Sequence, residues 1–525
     1  MDRSAPVESL SAERARPSPR EVWALLGGLG FFLFVAHLLV SGRYGYFVDE
    51  LYYLVCSHHL AWGYVDQPPL IAVLVWLERV TIGDSLHALR FLAALAAGLR
   101  VVLTGLIARE LGARRYGILL ACVCVIVAPM YLGLDSLMTM NVFESLFWMG
   151  AALVALKIFQ GASPKLWLFF GAIAGVGLLN KHSMLFFGFG LVVGMLLTPQ
   201  RRHFLQPWIW LGGAIALLIF LPNLLWEIQR GFPTITLLRN VQLSGRNTEM
   251  GPLLFLGVQA LIMHPLAAPV WLVGLWTLLR DREQRGWRVL GVTYVVIMIC
   301  MLTMHGRLYY PTPAYPMLFA AGGLTFERWF ASIKSGGWLR PAYVAVLLAT
   351  GLLLAPGAYF PMLTVDQYLA YERITHLGPP KIENHRMGPL PQIYADQFGW
   401  QEMAQVVANA YFEIPTYERK SCGIFGQNYG QAGAIDFFGA KMGLPNAISG
   451  HQNYFYWGPR QYDGSCMIVM DDNPERLGEL WEDVQKVGTV YHPLSMPYQH
   501  FDVYLCRKPK FSSLEKLWPE IKHWG

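Results

Sequence analysis

The stretch "WALLGGLGFFLFVAHLLV" (residues 23–40) has no acid, lysine or arginine, and "YFVDELYYLVCSHHLAWGYVDQPPL" (residues 46–70) follows it almost at once. Crossing a bilayer core as a helix takes about twenty mainly apolar residues, so the first run reads as a membrane span. The second run holds three carboxylates, two adjacent histidines, several tyrosines and a Pro-Pro step. An ionisable group near lipid is costly and usually has a task or a partner, so acids and aromatic rings directly at the exit of a span call for an explanation.

The rest of the chain supports that reading. Of its 525 residues 54% are hydrophobic and only 14% charged, well below the roughly 25% charged residues of soluble domains. Further apolar stretches lie near 86–108, 116–134, 139–159, 165–179, 183–198, 205–225, 253–279, 287–304, 308–327 and 340–361. With the first run they give an expectation of about eleven spans. The polar start, "MDRSAPVESLSAERARPSPR", precedes a run with no clear small-x-small cleavage site, so that run is expected to stay as the first helix. The net charge of +6 is small for this length, and no basic block with interleaved aromatics occurs, which argues against a nucleic-acid partner.

Cytoplasmic loops carry the Lys/Arg excess. With the N-terminus inside, the inner loops "RELGARR", "KIFQGASPK", "TPQRRHF", "RDREQRGWR" and "ERWFASIKSGGWLR" hold fourteen Lys/Arg. The outer ones hold eight: Arg43, Arg79, Arg90, Lys181, Arg230, Arg239, Arg246 and Arg307. The expected organisation is therefore a cytoplasmic tail (1–21), a membrane domain (22–362) with its first outer loop at 42–85, and an extracytoplasmic region (363–525). Acids, Lys181, Arg307 and tyrosines then gather at the outer face of a multi-pass inner-membrane protein.

Within the first outer loop, "DELYYLVCSHH" (49–59) is too short to span and reads as an amphipathic helix lying in the interface. "PPLIAVLVWLERVTIG" (68–83) reads as a second helix, with Pro68 in its first turn, where no amide donor is needed. Asp49 has two readings, a helix cap or a working acid oriented by the helix dipole. Adjacent Glu50 and nearby Asp66 exceed what capping requires.

The motifs "FVDELYY", "GYVDQPPL", "LLNKH" and "RLYYPTPAYP" resemble those of type C glycosyltransferases that use lipid-phosphate sugars: the bacterial branch of the protein O-mannosyltransferase and lipid A aminoarabinose transferase superfamily, family 39. The resemblance spans roughly residues 22–361. It implies a sugar donor joined through phosphate to a polyprenyl chain, a lipid or glycan acceptor, and Asp49 as the base of an inverting displacement, with Glu50 and Asp135 as further candidate catalytic acids. Lys181 and Arg307, with Tyr309 and Tyr310 as donors, are the candidates to receive the leaving phosphate, and His182 is a candidate for substrate contact. Asp66, Gln67 and His264 are further candidates for substrate contact. Lys181 and Arg307 could also simply snorkel at helix ends, and Asp135 could be a helix cap.

The chain departs from the aminoarabinose transferase branch where Asp66-Gln67-Pro68 replaces Glu-Lys-Pro, so the first loop lacks one positive charge. No trefoil insertion occurs, and protein acceptors are not implied. His58 and His59 are sequence neighbours and would point to different sides of a helix. His264 and His305 are single histidines that could meet Glu50 or Asp66; a divalent metal is possible, and the residues point to no other cofactor.

Beyond residue 362 the pattern changes. "WQEMAQVVANAYFEI" (400–414), "NYGQAGAIDFFGAKMG" (428–443) and "PERLGELWEDV" (474–484) have helical spacing; "CGIFGQ", "CMIVMDD" and "FDVYLCRK" read as strands. A small α/β domain is expected. The segment "GLPNAISGHQNYFYWGP" (443–459) is rich in aromatic and amide side chains, suited to sugar contact but equally to a long surface loop. Cys56, Cys422, Cys466 and Cys506 would face an oxidising compartment, where a disulfide such as Cys422 with Cys466 is permitted although spacing does not fix the pairing. Two other polytopic classes share much of this pattern. A lipid-linked oligosaccharide ligase or polymerase would place its polar groups at the same face, whereas a transporter would concentrate them near the midplane.

Overall fold

A computed structural model describes residues 18–245, 250–281, 286–379 and 383–524. The expectations for the N-terminal tail through residue 17, and for Arg246, Arg282 and Arg285, lie outside the described residues.

The first apolar run forms the helix Pro19–Val40. Ser18 and Glu21 cap its start reciprocally, each side chain accepting the other's backbone N–H at 3.3 and 2.9 Å. This helix and Leu86–Glu110, Met140–Phe159, Pro207–Gln229 and Gly336–Leu354 are long and apolar enough to cross a membrane. Two bent pairs, Met184–Leu196 with Pro199–Leu205 and Pro252–Ile262 with Pro265–Leu279, turn by 108° and 98°. Arg115–Ile126, Leu166–Asn180 and Trp287–Thr303 are shorter apolar helices.

Proline explains where these helices depart from the expected stretches. The run at 116–134 breaks between Ile126 and Pro129, and the next short helix starts at Pro129, because proline has no N–H to continue the ladder and pushes its predecessor out of the helical region. The run at 253–279 breaks at His264-Pro265, where His264 has φ +74°. The run at 308–327 becomes α-helical only from Tyr315, after Pro311 and a 3-10 turn, Thr312–Ala314, that contains Pro313. Helices meet closely where glycines face each other: a Cβ on Gly171 would overlap the Gly212 carbonyl, the small-residue contact typical of helices in lipid.

The chain after residue 400 forms a four-stranded sheet. Its strands are β1 (Cys422–Gly426), β2 (Cys466–Asp471), β3 (Trp481–Val490) and β4 (Phe501–Pro509), in the order β1-β2-β4-β3. β1 and β2 are parallel and the other pairs antiparallel. The helix expected over 474–484 ends at Leu480, and Trp481–Val490 is strand. Pairing along β4 overrides the local helical spacing there. Cys422 and Cys466 face each other in register on β1 and β2 and are joined by a disulfide. Replacing both with alanine is expected to cost about 2–4 kcal/mol, given a loop of this length. The melting temperature of the purified full chain with and without the pair checks this.

The helix Val48–His58 differs from expectation in its surroundings. Every residue from Glu50 to Ser57 is buried, so the helix does not lie as a half-exposed element. Leu51, Leu54 and Val55 share one apolar core with Ile71 and Val75 of the helix Leu70–Thr81 and with Trp400, Val407, Ile424, Ile468 and Leu505 of the C-terminal region. The first loop is thus clamped between the apolar helices and the sheet domain.

Candidate active site

Beneath that clamp lies a cavity of about 1610 Å³, bounded by the first loop, the ends of several apolar helices and the C-terminal region. Asp49, Asp66, Lys181, His182, Arg307, Tyr309 and Tyr310 all line it. Residues spread over more than 260 positions of sequence therefore share one space. Glu50, Gln67, Asp135 and His264 do not line it.

The adjacent acids Asp49 and Glu50 separate because successive helical residues point about 100° apart. Asp49, in the first turn of Val48–His58, is half-buried and accepts a hydrogen bond from the Tyr429 hydroxyl at 2.7 Å. Glu50 points into the protein and is fully buried. It accepts the backbone N–H groups of Phe47 (2.9 Å) and Met138 (2.8 Å) and both Nε and Nη2 of Arg90 (2.8 and 2.7 Å). Arg90 in turn donates to the carbonyls of Ser41 and Gly45. The helix cap weighed for Asp49 is thus made by Glu50.

Asp135 is buried in an ion pair with Arg100, whose guanidinium lies 4.2 Å from the Tyr131 ring centroid. Gln67 is buried with its amide nitrogen 3.9 Å from the Cys56 sulfur. His264, at the bend of its helix pair, has Nε2 3.1 Å from the Thr350 hydroxyl. Asp66 faces the cavity and accepts a hydrogen bond from the Tyr52 hydroxyl at 3.3 Å. Burial chiefly, and then the charge of Asp49, push its pKa up to about 7.

Lys181 sits where the helix Leu166–Asn180 ends before Met184–Leu196 begins. Its ammonium donates to Asn141 Oδ1 and Glu144 Oε2, both at 2.8 Å, and stands 4.9 and 5.5 Å from the ring centroids of Tyr310 and Tyr309. Burial works against the charged ammonium, but Glu144 and the two tyrosines outweigh it, and the pKa is raised. Arg307 donates to Glu383 at 3.1 Å. His182 Nε2 lies 3.0 Å from Asn223 Oδ1. Lys181 and Arg307, which both face the cavity, are thus each held by a carboxylate, Glu144 and Glu383 respectively.

The C-terminal region supplies lining residues that the sequence reading did not single out: Glu383, Asp396, Tyr429, His451 and Tyr498. Burial raises the Asp396 pKa to about 7; the Tyr498 hydrogen bond opposes this, and the charges of Asp49 and Glu383 add to it. Asn428 and Tyr429 were visible only as a helix start, and Asn428 is indeed the N-cap, accepting the Gln431 N–H at 3.0 Å. In the aromatic segment 443–459, His451 and Gln452 reach the cavity. Asn453 instead docks on the first loop: its carboxamide oxygen accepts the Val65 N–H (3.1 Å) and its own N–H donates to the Tyr52 hydroxyl (3.2 Å). Among the described residues, no group of three or more His, Cys, Asp or Glu is arranged to hold a metal ion.

A family profile described as dolichyl-phosphate-mannose-protein mannosyltransferase matches residues 66–226. Among solved structures the chain is similar to ArnT from Cupriavidus metallidurans bound to undecaprenyl phosphate, with a TM-score of 0.60 and 14% identity, over 93% of this chain and 98% of that one. It is similar to the apo form of the same protein with a TM-score of 0.58 and 15% identity, over the same shares. No curated protein matches the chain by sequence. The chain thus has an ArnT-like fold, a helical apolar region with a C-terminal sheet domain, and the profile match supports the resemblance carried by its motifs over residues 66–226.

Proposed function

We propose that this protein is a membrane glycosyltransferase that moves a single sugar from a polyprenyl-phosphate donor to a hydroxyl or amine acceptor, a lipid or glycan, at the outer face of the inner membrane. The observation that carries the reading is the shared cavity, in which the Asp49 carboxylate faces the same space as Lys181, Arg307 and two tyrosines. The profile match and the ArnT-like fold support the enzyme class. ArnT was solved with undecaprenyl phosphate, which supports a lipid phosphate as the group bound by this chain.

In the mechanism, Asp49 accepts the proton of the acceptor as its oxygen or nitrogen attacks the anomeric carbon. The bond from that carbon to the phosphate oxygen breaks, and polyprenyl phosphate leaves with the electron pair. Attack opposite the leaving group inverts the sugar centre. Lys181 and Arg307, with the Tyr309 and Tyr310 hydroxyls, stabilise the charge that develops on the phosphate; to do so the cations exchange their carboxylate partners, Glu144 and Glu383, for the phosphate oxygens. Asp66, with a pKa of about 7, can donate as well as accept a hydrogen bond to a sugar hydroxyl at neutral pH. Glu50 and Asp135 take scaffold roles, and Gln67 and His264 support the walls.

The boundaries in this reading remain 1–21, 22–362 and 363–525. The Lys/Arg asymmetry and the Cys422–Cys466 disulfide both favour a C-terminal region outside the cytoplasm.

The test is reconstitution of the full chain in proteoliposomes with undecaprenyl-phosphate-linked monosaccharides and lipid or glycan acceptors, reading release of undecaprenyl phosphate. Arg307→Met and Lys181→Met are each expected to raise the donor KM by roughly 10- to 100-fold, the loss of a charge-assisted hydrogen bond. No release with any donor sinks the reading. Mass spectrometry showing transfer only of preassembled oligosaccharides would reassign the protein as a ligase or polymerase.

A further inference from the structure

The Tyr429 hydroxyl donates to Asp49 Oδ1 at 2.7 Å across 380 residues of sequence. Several contacts fix that tyrosine. Its backbone N–H donates to His451 Nδ1 at 3.2 Å, and its ring stacks on the same imidazole at 5.2 Å and 21°. His451 is itself stacked on His523 at 4.6 Å and 4°. On the other side the Tyr429 ring packs 4.9 Å from Tyr52, whose hydroxyl donates to Asp66.

The short helix Tyr429–Ala434 lies directly on Val48–His58. A Cβ added at Gly430 would come within 2.5 Å of a Val48 methyl, and one at Gly433 within 3.3 Å of the Leu51 backbone. Glycine at these positions lets the helix carrying Tyr429 reach the turn carrying Asp49.

We infer that Tyr429 is a positioning residue for the reaction: its hydroxyl holds the Asp49 carboxylate in one rotamer and stabilises its ionised, proton-accepting form. The inference rests on Asp49 being the base. Such a donor matters because carboxylates near Asp49 disfavour its charge. Asp66 and Asp396 both feel its field, Tyr53 lies on the same helix within that field, and Glu50 is the next residue. With three carboxylates crowding the base, a neutral donor from the C-terminal region favours the ionised form without adding a positive charge that would compete with Lys181 and Arg307 for the phosphate.

The sign follows directly. A hydrogen bond to the ionised form lowers a carboxyl pKa, so removing it raises that pKa, and the acid limb of the rate profile moves to higher pH. Tyr429→Phe keeps the ring stack and deletes only the donor. Its expected effect is an upward move of the acid limb of kcat by about one pH unit, so that at pH values below both limbs kcat falls about tenfold. The donor KM is expected to stay constant.

Infrared difference titration of the full chain gives a readout independent of turnover. The carboxyl C=O band absent from Asp49→Asn identifies Asp49, and Tyr429→Phe is expected to raise its midpoint by the same amount. Tyr429→His, which retains a ring and an N–H donor, is expected to fall between wild type and Phe. Tyr417→Phe, at a surface position, serves as the control. If Phe at 429 leaves the Asp49 midpoint unmoved in a protein of unchanged melting temperature, Tyr429 is only a packing residue and the inference is overturned. Should Tyr429→Phe melt early, the titration of Tyr429→His against wild type decides in its place. Full transfer activity in Asp49→Asn would instead remove the base assignment itself, a distinct outcome.

Discussion

Asp49→Asn is expected to lower sugar transfer by about 10²- to 10⁴-fold, the usual contribution of a general base, with little change in melting temperature. An asparagine at this position still offers an oxygen to the Tyr429 hydroxyl, which is 2.7 Å away in the wild type, so the geometry persists. What disappears is the capacity to take a proton. The initial rate of undecaprenyl phosphate release at saturating donor measures this, and a residual rate independent of pH across the acid limb is the accompanying signature. A variant that folds and turns over at the wild-type rate removes Asp49 from the chemistry.

The adjacent residue is expected to fail in a different way. Glu50→Ala strands the Arg90 guanidinium, 1% exposed, without its bidentate partner, and leaves the Phe47 and Met138 amides without their acceptor. Removing one member of a buried pair costs about 3–5 kcal/mol. The expected result is a large drop in melting temperature and in yield of folded protein. Glu50→Leu combined with Arg90→Met, which removes both charges, is expected to recover part of the loss. Equal melting of Glu50→Ala and wild type contradicts the scaffold role. Two neighbouring acids would thus be separated by experiment, one losing rate and the other losing fold.

Much of the architecture was legible because its signals are local. Runs without charge give the apolar helices, and β-branched runs between turns give the strands, as in "CMIVMDD". The helical reading of 474–484 failed from Trp481 onward because the partner strand, Phe501–Pro509, lies on the far side of a turn and decides the conformation by pairing. The site was half legible. Asp49, Asp66, Lys181 and Arg307 stand out as polar groups beside apolar runs, where each must have a reason to be. Glu50 and Asp135 stand out in the same way, and nothing in their own neighbourhood announces Arg90 or Arg100 as partners. Tyr429, Asp396 and Glu383 sit in ordinary polar sequence, and only the folding of the sheet domain onto the first loop brings them to the cavity. Composition reports what a residue costs to bury; it is silent on which distant residue meets it.

The 380-residue separation between Asp49 and Tyr429 also has a bearing on biosynthesis. A ribosome emits the motif holding Asp49 early and the tyrosine only after all the apolar helices have been made. On the proposed mechanism, an unfinished polypeptide has the carboxylate without the hydroxyl inferred to orient it, and premature reaction with a lipid-borne sugar is disfavoured until synthesis is nearly complete.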